Sequence, residues 1–415
     1  LANALVGRKI GGPAKVAVVS SGAFGSISGS AAANVATTGT FTIPLMKKLG
    51  YKNYFAGAVE AVASTGGMIM PPIMGSGAFI MAEILGIPYV AVIKAAFIPA
   101  LLYYISLMIM VHLEAIKLGL KGLSKEECPK LRDVIITRGY LLIPLILLIY
   151  LLVIKRMSPM KSALWSSIAV ILVSFLGRAT KMNVEKLIKV FVGAAENMIK
   201  VASACACAGI VIGVLSLTGL GLRLSIILSI LAGKNLILLL FLTMISSIIL
   251  GMGLPATAAY ILLAVLGAPA LVELGALPIA AHLFVFYFGC ISNITPPVCV
   301  AGFVASGISG ASVNKIGMAA VKLGIVGFIV PYLFIFNSAL LLEGTLFEIL
   351  YTLLTALFGC FCIGIGLQGW LFKELSWTLR IIIILAGLGF LQPNLWINLI
   401  VFAILGVFLY FQWKR

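Results

Sequence analysis

The chain has 415 residues, 62% of them hydrophobic and 10% charged, with a formal net charge of +17 and a mean hydropathy of +1.21. No soluble domain of this length buries so apolar a composition, and apolar windows of about 18 residues or more recur, so the chain reads as an all-α polytopic membrane protein. The basic residues sit in short connectors between apolar runs, which argues against a nucleic-acid footprint. Seven cysteines and two histidines show no zinc spacing, and Cys205-Ala206-Cys207 and Cys360-Phe361-Cys362 read as small packing residues. No transition-metal site and no organic cofactor is expected.

In chain order, residues 14–27 and 31–46 are apolar stretches, each too short for about 30 Å of hydrocarbon at about 1.5 Å per residue. They are joined by Gly25-Ser26-Ile27-Ser28-Gly29-Ser30, a poor helix sequence, and together predict a re-entrant helical hairpin. Tyr51 to Ala82 is long enough to span but is interrupted at Gly66-Gly67 and Pro71-Pro72, which predicts a broken helix. Pro88 to His112, Gly139 to Ile154 and Ser162 to Gly177 read as plain spans, followed by Gly193 to Leu217 and an amphipathic connector around Arg223. Leu236 to Leu250 and Ala256 to Ala268 flank Gly251-Met252-Gly253-Leu254-Pro255, a second hairpin. Leu277 to Ser306 is broken at Ser292-Asn293-Ile294-Thr295-Pro296-Pro297, and Ile316 to Leu342 reads as a plain span. Residues 345–372, 376–391 and 394–413 are peripheral apolar runs.

The two hairpins and breaks are in register. Sliding the chain on itself by 225 residues pairs Ser30 with Pro255, Pro44 with Pro269, Gly50 with Gly275, Ile69 with Ile294, Pro71-Pro72 with Pro296-Pro297, and Gly77 with Gly302. Five spans between the hairpins, an odd number, make the second enter from the opposite face, so the repeat is inverted. The expected organisation is a first repeat over 1–113, a basic connector with linking spans over 114–192, a second repeat over 193–344 and accessory helices over 345–415. Upstream of Pro255 lies a long apolar run with no counterpart before Ser30, so the first repeat is expected to lack an N-terminal span. Lys117, Lys121, Lys125, Lys130, Arg132 and Arg138 in one connector, and Arg178, Lys181, Lys186 and Lys189 in another, mark one cytoplasmic face. Lys155, Arg156 and Lys161 on the other face oppose that assignment.

Each hairpin tip frees carbonyls where its first helix ends and amide N–H groups where its second begins. The carbonyl end suits a hard cation and the amide end a carboxylate. The candidate substrate-binding residues are therefore Ser30, Ala31 and Asn34 at the first tip and Pro255, Ala256 and Thr257 at the second. The candidate cation-binding residues are Ser28, Gly29, Thr65, Gly66 and Gly67 in the first repeat, and Gly251, Gly253, Ser292, Asn293 and Thr295 in the second. Neutral oxygens on unwound backbone favour Na⁺ as the coupling ion. Pro71, Pro72, Pro296 and Pro297 are the candidate hinges. Close packing of small residues accounts for any one of these positions, but less readily for the paired constellation. Charges in or beside spans, namely Glu60, Glu83, Lys94, Glu196 and Lys200, are further candidates, with Glu60 one helical stretch before the first break.

The stretches Phe24 to Val35, Glu60 to Pro72, Gly251 to Thr257 and Thr295-Pro296-Pro297 resemble the hairpin tips and broken helices of the large membrane subunit of tripartite ATP-independent periplasmic (TRAP) transporters, in particular the TAXI branch. The resemblance covers about residue 4 to 344. It implies Na⁺-driven uptake of small organic acids across a bacterial or archaeal cytoplasmic membrane by an elevator-like movement of the hairpin domain. It also implies a TAXI-type extracytoplasmic substrate-binding protein and a small four-span membrane subunit, often fused at the N-terminus. It departs at Met68, where a polar residue, Gln, is expected.

Rival readings are a stand-alone carboxylate carrier, a channel, and a membrane serine protease suggested by Gly307-Ile308-Ser309-Gly310. The protease reading needs a His base on a later span and none follows Ser309; there is no H-E-x-x-H and no P-loop lysine motif. The chain is therefore read as a transporter, not an enzyme.

Overall fold

A computed structural model describes residues 1–403 and 406, apart from 125, 178, 179, 220–222, 224, 225, 228, 229, 234, 393 and 397. The side chains of Lys200, Val201, Ala204, Ala208, Ile212, Leu215 and Ser216 are likewise outside the described set. Lys125, Arg178 and Lys200, most of the connector around Arg223, and the distal half of the 394–413 run therefore lie outside it.

The first hairpin comprises α1 (Gly12–Ser28) and α2 (Ala31–Lys48), followed by α3 (Asn53–Gly67) and α4 (Gly77–Leu85), the halves of the first broken helix. The long helix α5 (Tyr89–Lys117) leads to the linking helices α6 (Leu131–Ile154), α7 (Pro159–Ser174) and α8 (Val184–Leu217). The second hairpin is α9 (Leu236–Gly251) and α10 (Ala256–Leu266), and α11 (Pro278–Ile291) and α12 (Val300–Ser309) form the second broken helix. The remaining helices are α13 (Val313–Leu323), α14 (Ile325–Phe336), α15 (Leu346–Gln368) and α16 (Trp377–Phe390). Among the described residues α5, α6 and α15 are each long and apolar enough to cross a bilayer, and α13 with α14 passes as one bent span.

The duplication is written in the backbone. Gly50 and Gly275, a 225-residue pair, both adopt positive φ (100° and 94°), and so do Met74 and Cys299 (65° and 46°). The turn that ends α2 uses Tyr51 N to Met46 O (3.2 Å), and its counterpart uses Ala276 N to Leu271 O (3.0 Å). Both hairpins restart one residue after a paired N-cap, Ser30 and Pro255, and both Pro-Pro bonds are cis.

The repeats run in opposite directions. Lys322 of α13 donates to Gln368 (3.0 Å), whose amide donates to Met110 O near the end of α5 (3.3 Å). Farther along α14, a methyl at Gly327 would lie 2.7 Å from the ring of Tyr103. Rising numbers on α13 and α14 thus meet falling numbers on α5, their counterpart at the 225-residue offset, and the repeat is inverted.

The innermost helices are α3 and α11. Every residue from Phe55 to Gly67 is buried, as is every residue from Ala280 to Ile291. Small residues let α3 approach its neighbours closely, whereas α11 fills its surroundings with Phe284, Phe286, Tyr287 and Phe288. Edge-on contacts of Phe284 with Tyr332 and Tyr287 with Phe334 seat α11 on α14. Helices α6 and α8 carry long exposed apolar faces, as lipid-facing helices do.

Three expectations need correction. Helix α1 runs through Gly25-Ser26-Ile27-Ser28, leaving Gly29 and Ser30 as the whole of the first tip. Ser26 bonds back to Ala23 O (2.9 Å), and Gly29 ends the helix at φ 63°. The Gly139–Ile154 run lies in one candidate span but is not uniform α-helix: it is 3₁₀ over Gly139–Leu142, where Pro144 supplies no N–H to the preceding turn, α over Ile143–Ile149 and π over Tyr150–Ile154. Nor is Ile316–Leu342 plain, because α13 and α14 meet at 41° at Gly324. A side chain there would come within 2.9 Å of Ile294, so the glycine lets this helix close on the second break.

Candidate functional site

The two tips and the two breaks form one contiguous cluster. At the first tip the backbones of α1 and α3 touch: a methyl at Gly67 would lie 2.4 Å from Gly25 Cα and 2.9 Å from Ser26 N. A methyl at Gly29 would lie 3.4 Å from Met74 O and 3.7 Å from Ser76 N. At the second tip, Ser292 Oγ on the break shares its proton between Gly251 O (3.0 Å) and Gly289 O (2.7 Å). The hydroxyls of Ser76 and Thr257 bond to each other, joining the second tip to the first break. Gly77 allows this approach, since a methyl there would press on Phe286 and Tyr260 (2.9 and 3.1 Å).

The helix ends deliver the polar groups that broken helices free. The carbonyls of Thr65, Gly66 and Gly67 accept one backbone bond each, from Met68, Ile69 and Met70, and Met68 O accepts from Gly75 N (2.6 Å). Each carbonyl keeps a second lone pair. Thr65 Oγ1 is buried without a hydrogen-bond partner among the described residues. At the second break, Thr295 N bonds Ser292 O (3.2 Å), and Asn293 Nδ2 donates to Cys290 O (3.0 Å). Thr295 Oγ1 donates to Ile291 O (2.9 Å). The second helices open on Ser30, whose hydroxyl accepts from Ala33 N (3.4 Å), and on Pro255, which offers no side-chain cap. The first-turn N–H groups around Ala31 and around Ala256 and Thr257 are those a helix leaves without intrahelical partners.

A chain with paired hairpins, paired breaks and inverted direction matches a known membrane family in sequence. The model of the tripartite ATP-independent periplasmic transporter, DctM component, matches residues 1–349. The chain belongs to this DctM family. Among curated relatives, it is 27% identical over 332 residues to the isethionate TRAP transporter permease protein DctMQ of Oleidesulfovibrio alaskensis, covering 78% of this chain and 50% of that protein. It is 34% identical over 117 residues to the uncharacterized protein YgiK of Salmonella typhimurium, covering 28% of this chain and 26% of that one. The chain thus spans about half the length of the first relative and about a quarter of the second.

Within this DctM-family architecture the sequence-selected residues separate into groups. Ser30, Ala31, Ala256 and Thr257 stand at the helix starts of the cluster, and Gly29, Gly66, Gly67, Gly251, Ser292 and Asn293 at its tips and breaks. Ser28 and Gly253 are exposed, Gly253 at φ 77°. Asn34 lies apart, fully buried inside the hairpin: its Nδ2 donates to Ser21 O (2.7 Å) and its Oδ1 lies 3.0 Å from Thr38 Oγ1. Pro71, Pro72, Pro296 and Pro297 lie within the breaks. Met68, where the resemblance leads one to expect a polar residue, is buried and is paired with Asn293 by the repeat.

Sequence reasoning missed three sets of contacts. Ser76 drew no attention because it is one exposed serine between two glycines. Tyr103 and Tyr104 donate to Val62 O (2.9 Å) and Ala63 O (2.6 Å), pinning α3 to α5 just before the break. The third set surrounds Glu60 with the hydroxyls of Ser21, Thr38, Thr42 and Ser64. An i, i+4 pair of threonines on the face of α2 was the available signal. Glu83, Lys94 and Glu196 are exposed, so Glu60 alone of the described carboxylates is fully buried. Ser309 meets no histidine: its hydroxyl accepts from Ala311 N (3.3 Å), while His112 pairs with Lys15 and His282 with Tyr260.

Proposed function

We propose that this chain is the membrane-embedded permease of a Na⁺-coupled secondary transporter that imports small organic acids. The substrate is handed over by a TAXI-type extracytoplasmic binding protein, and a small four-span subunit completes the membrane part, in a bacterial or archaeal cytoplasmic membrane. The observation that carries the reading is the cluster of two re-entrant tips and two breaks, with the second tip bonded both to Ser76 and to Ser292. Irregular backbone at membrane depth persists only where protein or a polar cavity satisfies it, and in inverted-repeat carriers such places hold substrate and coupling ion.

On this reading the anion rests on the N–H groups at Ala31, Ala256 and Thr257, with Ser30 and Pro255 shaping the approach and Asn34 stiffening the first hairpin from within. Na⁺ takes carbonyl and hydroxyl oxygens at Gly29, Thr65, Gly66 and Gly67 and at Gly251, Ser292, Asn293 and Thr295, with Ser28 and Gly253 at the rims. The buried Thr65 hydroxyl without a partner among the described residues supports the first of these sites. The relative named for isethionate carries an organic anion in its name, which agrees with an anion as cargo. The prolines of the two breaks serve as hinges, and the hairpin domain moves as an elevator.

The test is uptake by proteoliposomes containing the full-length permease, its small subunit and its binding protein, with labelled dicarboxylates, glutamate and isethionate. Uptake that requires both the binding protein and an inward Na⁺ gradient is expected. Uptake without the binding protein makes the permease a stand-alone carrier, and flux indifferent to the Na⁺ gradient overturns the coupling.

A further inference from the structure

Glu60 lies in the middle of α3 with none of its surface exposed. Ser21 donates to its Oε1 at 2.6 Å and Thr38 at 2.5 Å, Ser64 sits 3.4 Å from Oε1, and Thr42 lies 2.5 Å from Oε2. The acid therefore ties both helices of the first hairpin to the first broken helix. No cation reaches it among the described residues. On α1, Lys15 Nζ lies 3.0 Å from His112 Nδ1; on α2, Lys47 donates to Ser309 O, and Lys48 is exposed. On α13, Lys322 donates to Gln368 and Lys315 lines a different cavity; α12 carries no titratable side chain, and Tyr104 of α5 donates to Ala63 O. A carboxylate buried without a counter-ion is strongly disfavoured, and it takes up a proton or a cation instead.

The cage accommodates the acid form without moving a heavy atom. Hydroxyls both donate and accept, so a proton on Oε2 can be donated to Thr42 Oγ1 across the same 2.5 Å, and Thr42 then donates to Thr38 O at 3.1 Å. Ser21 and Thr38 go on donating to Oε1. The fold itself does not require this network. At the 225-residue offset, Glu60, Thr38, Thr42 and Ser64 correspond to Val285, Leu263, Gly267 and Gly289, and those residues pack in the same way. A methyl at Gly267 would lie 3.1 Å from Val285, and one at Gly289 would lie 3.2 Å from Leu263. The second repeat builds the same joint without an acid: Ser21 keeps a hydroxyl counterpart in Ser246 and Thr243 stands beside Gly267, but no carboxyl group is there, so the acid serves a purpose other than holding hairpin to helix. A cavity of about 300 Å³ reaches the cage from outside the hairpin, lined by Thr38, Thr42, Ser20 and Asn3. Asn3 Oδ1 is buried with no partner among the described residues.

We propose that Glu60 is a proton-binding site, at which the carboxyl group carries a proton while the first hairpin is closed on the first broken helix and exchanges it through the cavity lined by Thr38 and Thr42. On release the O–H bond of the acid breaks, the proton passes to water in that cavity, and Thr42 turns its hydrogen to Oε2. The site is distinct from the helix-end oxygens assigned to Na⁺.

Infrared difference spectroscopy of the purified permease, unlabelled and labelled with ¹³C-glutamate, tests this directly. A protonated-carboxyl C=O band at neutral pH is expected, shifted by the label, lost in Glu60→Gln and retained in Glu348→Gln, which alters an exposed acid. Thr42→Val, which removes the hydroxyl that accepts the acid proton, should shift the band; this variant and the labelled wild type decide the matter if Glu60→Gln does not fold. Absence of the band from the wild type, or its persistence in Glu60→Gln, overturns the proposal. The readout does not depend on transport, so its failure leaves Na⁺-coupled uptake standing, and loss of Na⁺ coupling leaves the proton site standing.

Discussion

Gly67→Ala is the sharpest test of how the first tip is built. The new methyl would lie 2.4 Å from Gly25 Cα, 2.5 Å from Gly25 C and 2.9 Å from Ser26 N, all backbone atoms with no rotamer to yield. Restoring ordinary contact requires α1 and α3 to part by about 1 Å, in a region packed as densely as a crystal. Forcing a methyl into such packing costs about 1–3 kcal/mol, more than the roughly 0.5–1 kcal/mol gained by replacing a helical glycine. The matched control is Gly307→Ala, a helical position where a methyl meets nothing within 4 Å, so it is expected to be neutral or slightly stabilising. The assay is thermal unfolding in detergent combined with hydrogen exchange over residues 25–30. Gly67→Ala should lower the melting temperature and speed exchange at the tip, and Gly307→Ala should do neither. Equal melting of the two variants would refute the close approach as the organising contact.

The remaining predictions concern single bonds. Ser292→Ala removes the hydroxyl shared by Gly251 O and Gly289 O and should cost about 1 kcal/mol, read as a lower melting temperature. Thr257→Val keeps the shape but leaves Ser76 without its partner; a loss of about 1.4 kcal/mol would slow initial uptake about tenfold, and an unchanged rate would count against the cross-tip bond. Arg380 donates to Gly366 O and Leu367 O (2.9 and 3.0 Å) at the end of α15, so Arg380→Ala should destabilise by about 1.5–3 kcal/mol. Because α15 lies outside the cluster, the Na⁺ dependence of uptake should stay as in the wild type, as a Na⁺ titration of initial rates would show.

The architecture was legible because its punctuation is duplicated. Gly50 and Gly275 stand where the chain needs positive φ, and Ser30 and Pro255 stand where helices restart, so a gapless shift found them. Met74 and Cys299 share the same unusual φ but carry no signal, since neither is a residue that favours that region. The extent of the first tip was overestimated because Gly25 reads as a helix breaker in sequence, whereas in space it is the helical position that admits Gly67. The bend at Gly324 was invisible for a related reason: only contact with Ile294 gives that glycine its meaning. Asn34 was selected as a polar residue on a tip helix, but periodicity did not reveal that its face points into the hairpin. Thr38 and Thr42 were not singled out in sequence; their role shows only once Glu60 is placed beside them.

The repeat duplicates backbone, not side chains, and that division bears on mechanism. Both halves present helix ends, a break and a turn in register, so any binding that depends on carbonyls and N–H groups is available twice. Side-chain chemistry is available once. At the breaks the second half carries Ser292, Asn293 and Thr295 where the first carries Gly67, Met68 and Met70. Behind the hairpins the arrangement is reversed, with Glu60 and its hydroxyls in the first half and Val285, Leu263 and Gly267 in the second. An inverted repeat needs equal backbones to reach two conformations related by its pseudo-two-fold axis at similar energy, since any helix end left unsatisfied in one of them is costly at membrane depth. It does not need equal side chains. Two such halves can therefore share one backbone design while differing in side-chain chemistry, the second break carrying an amide and hydroxyls and the first hairpin one buried acid.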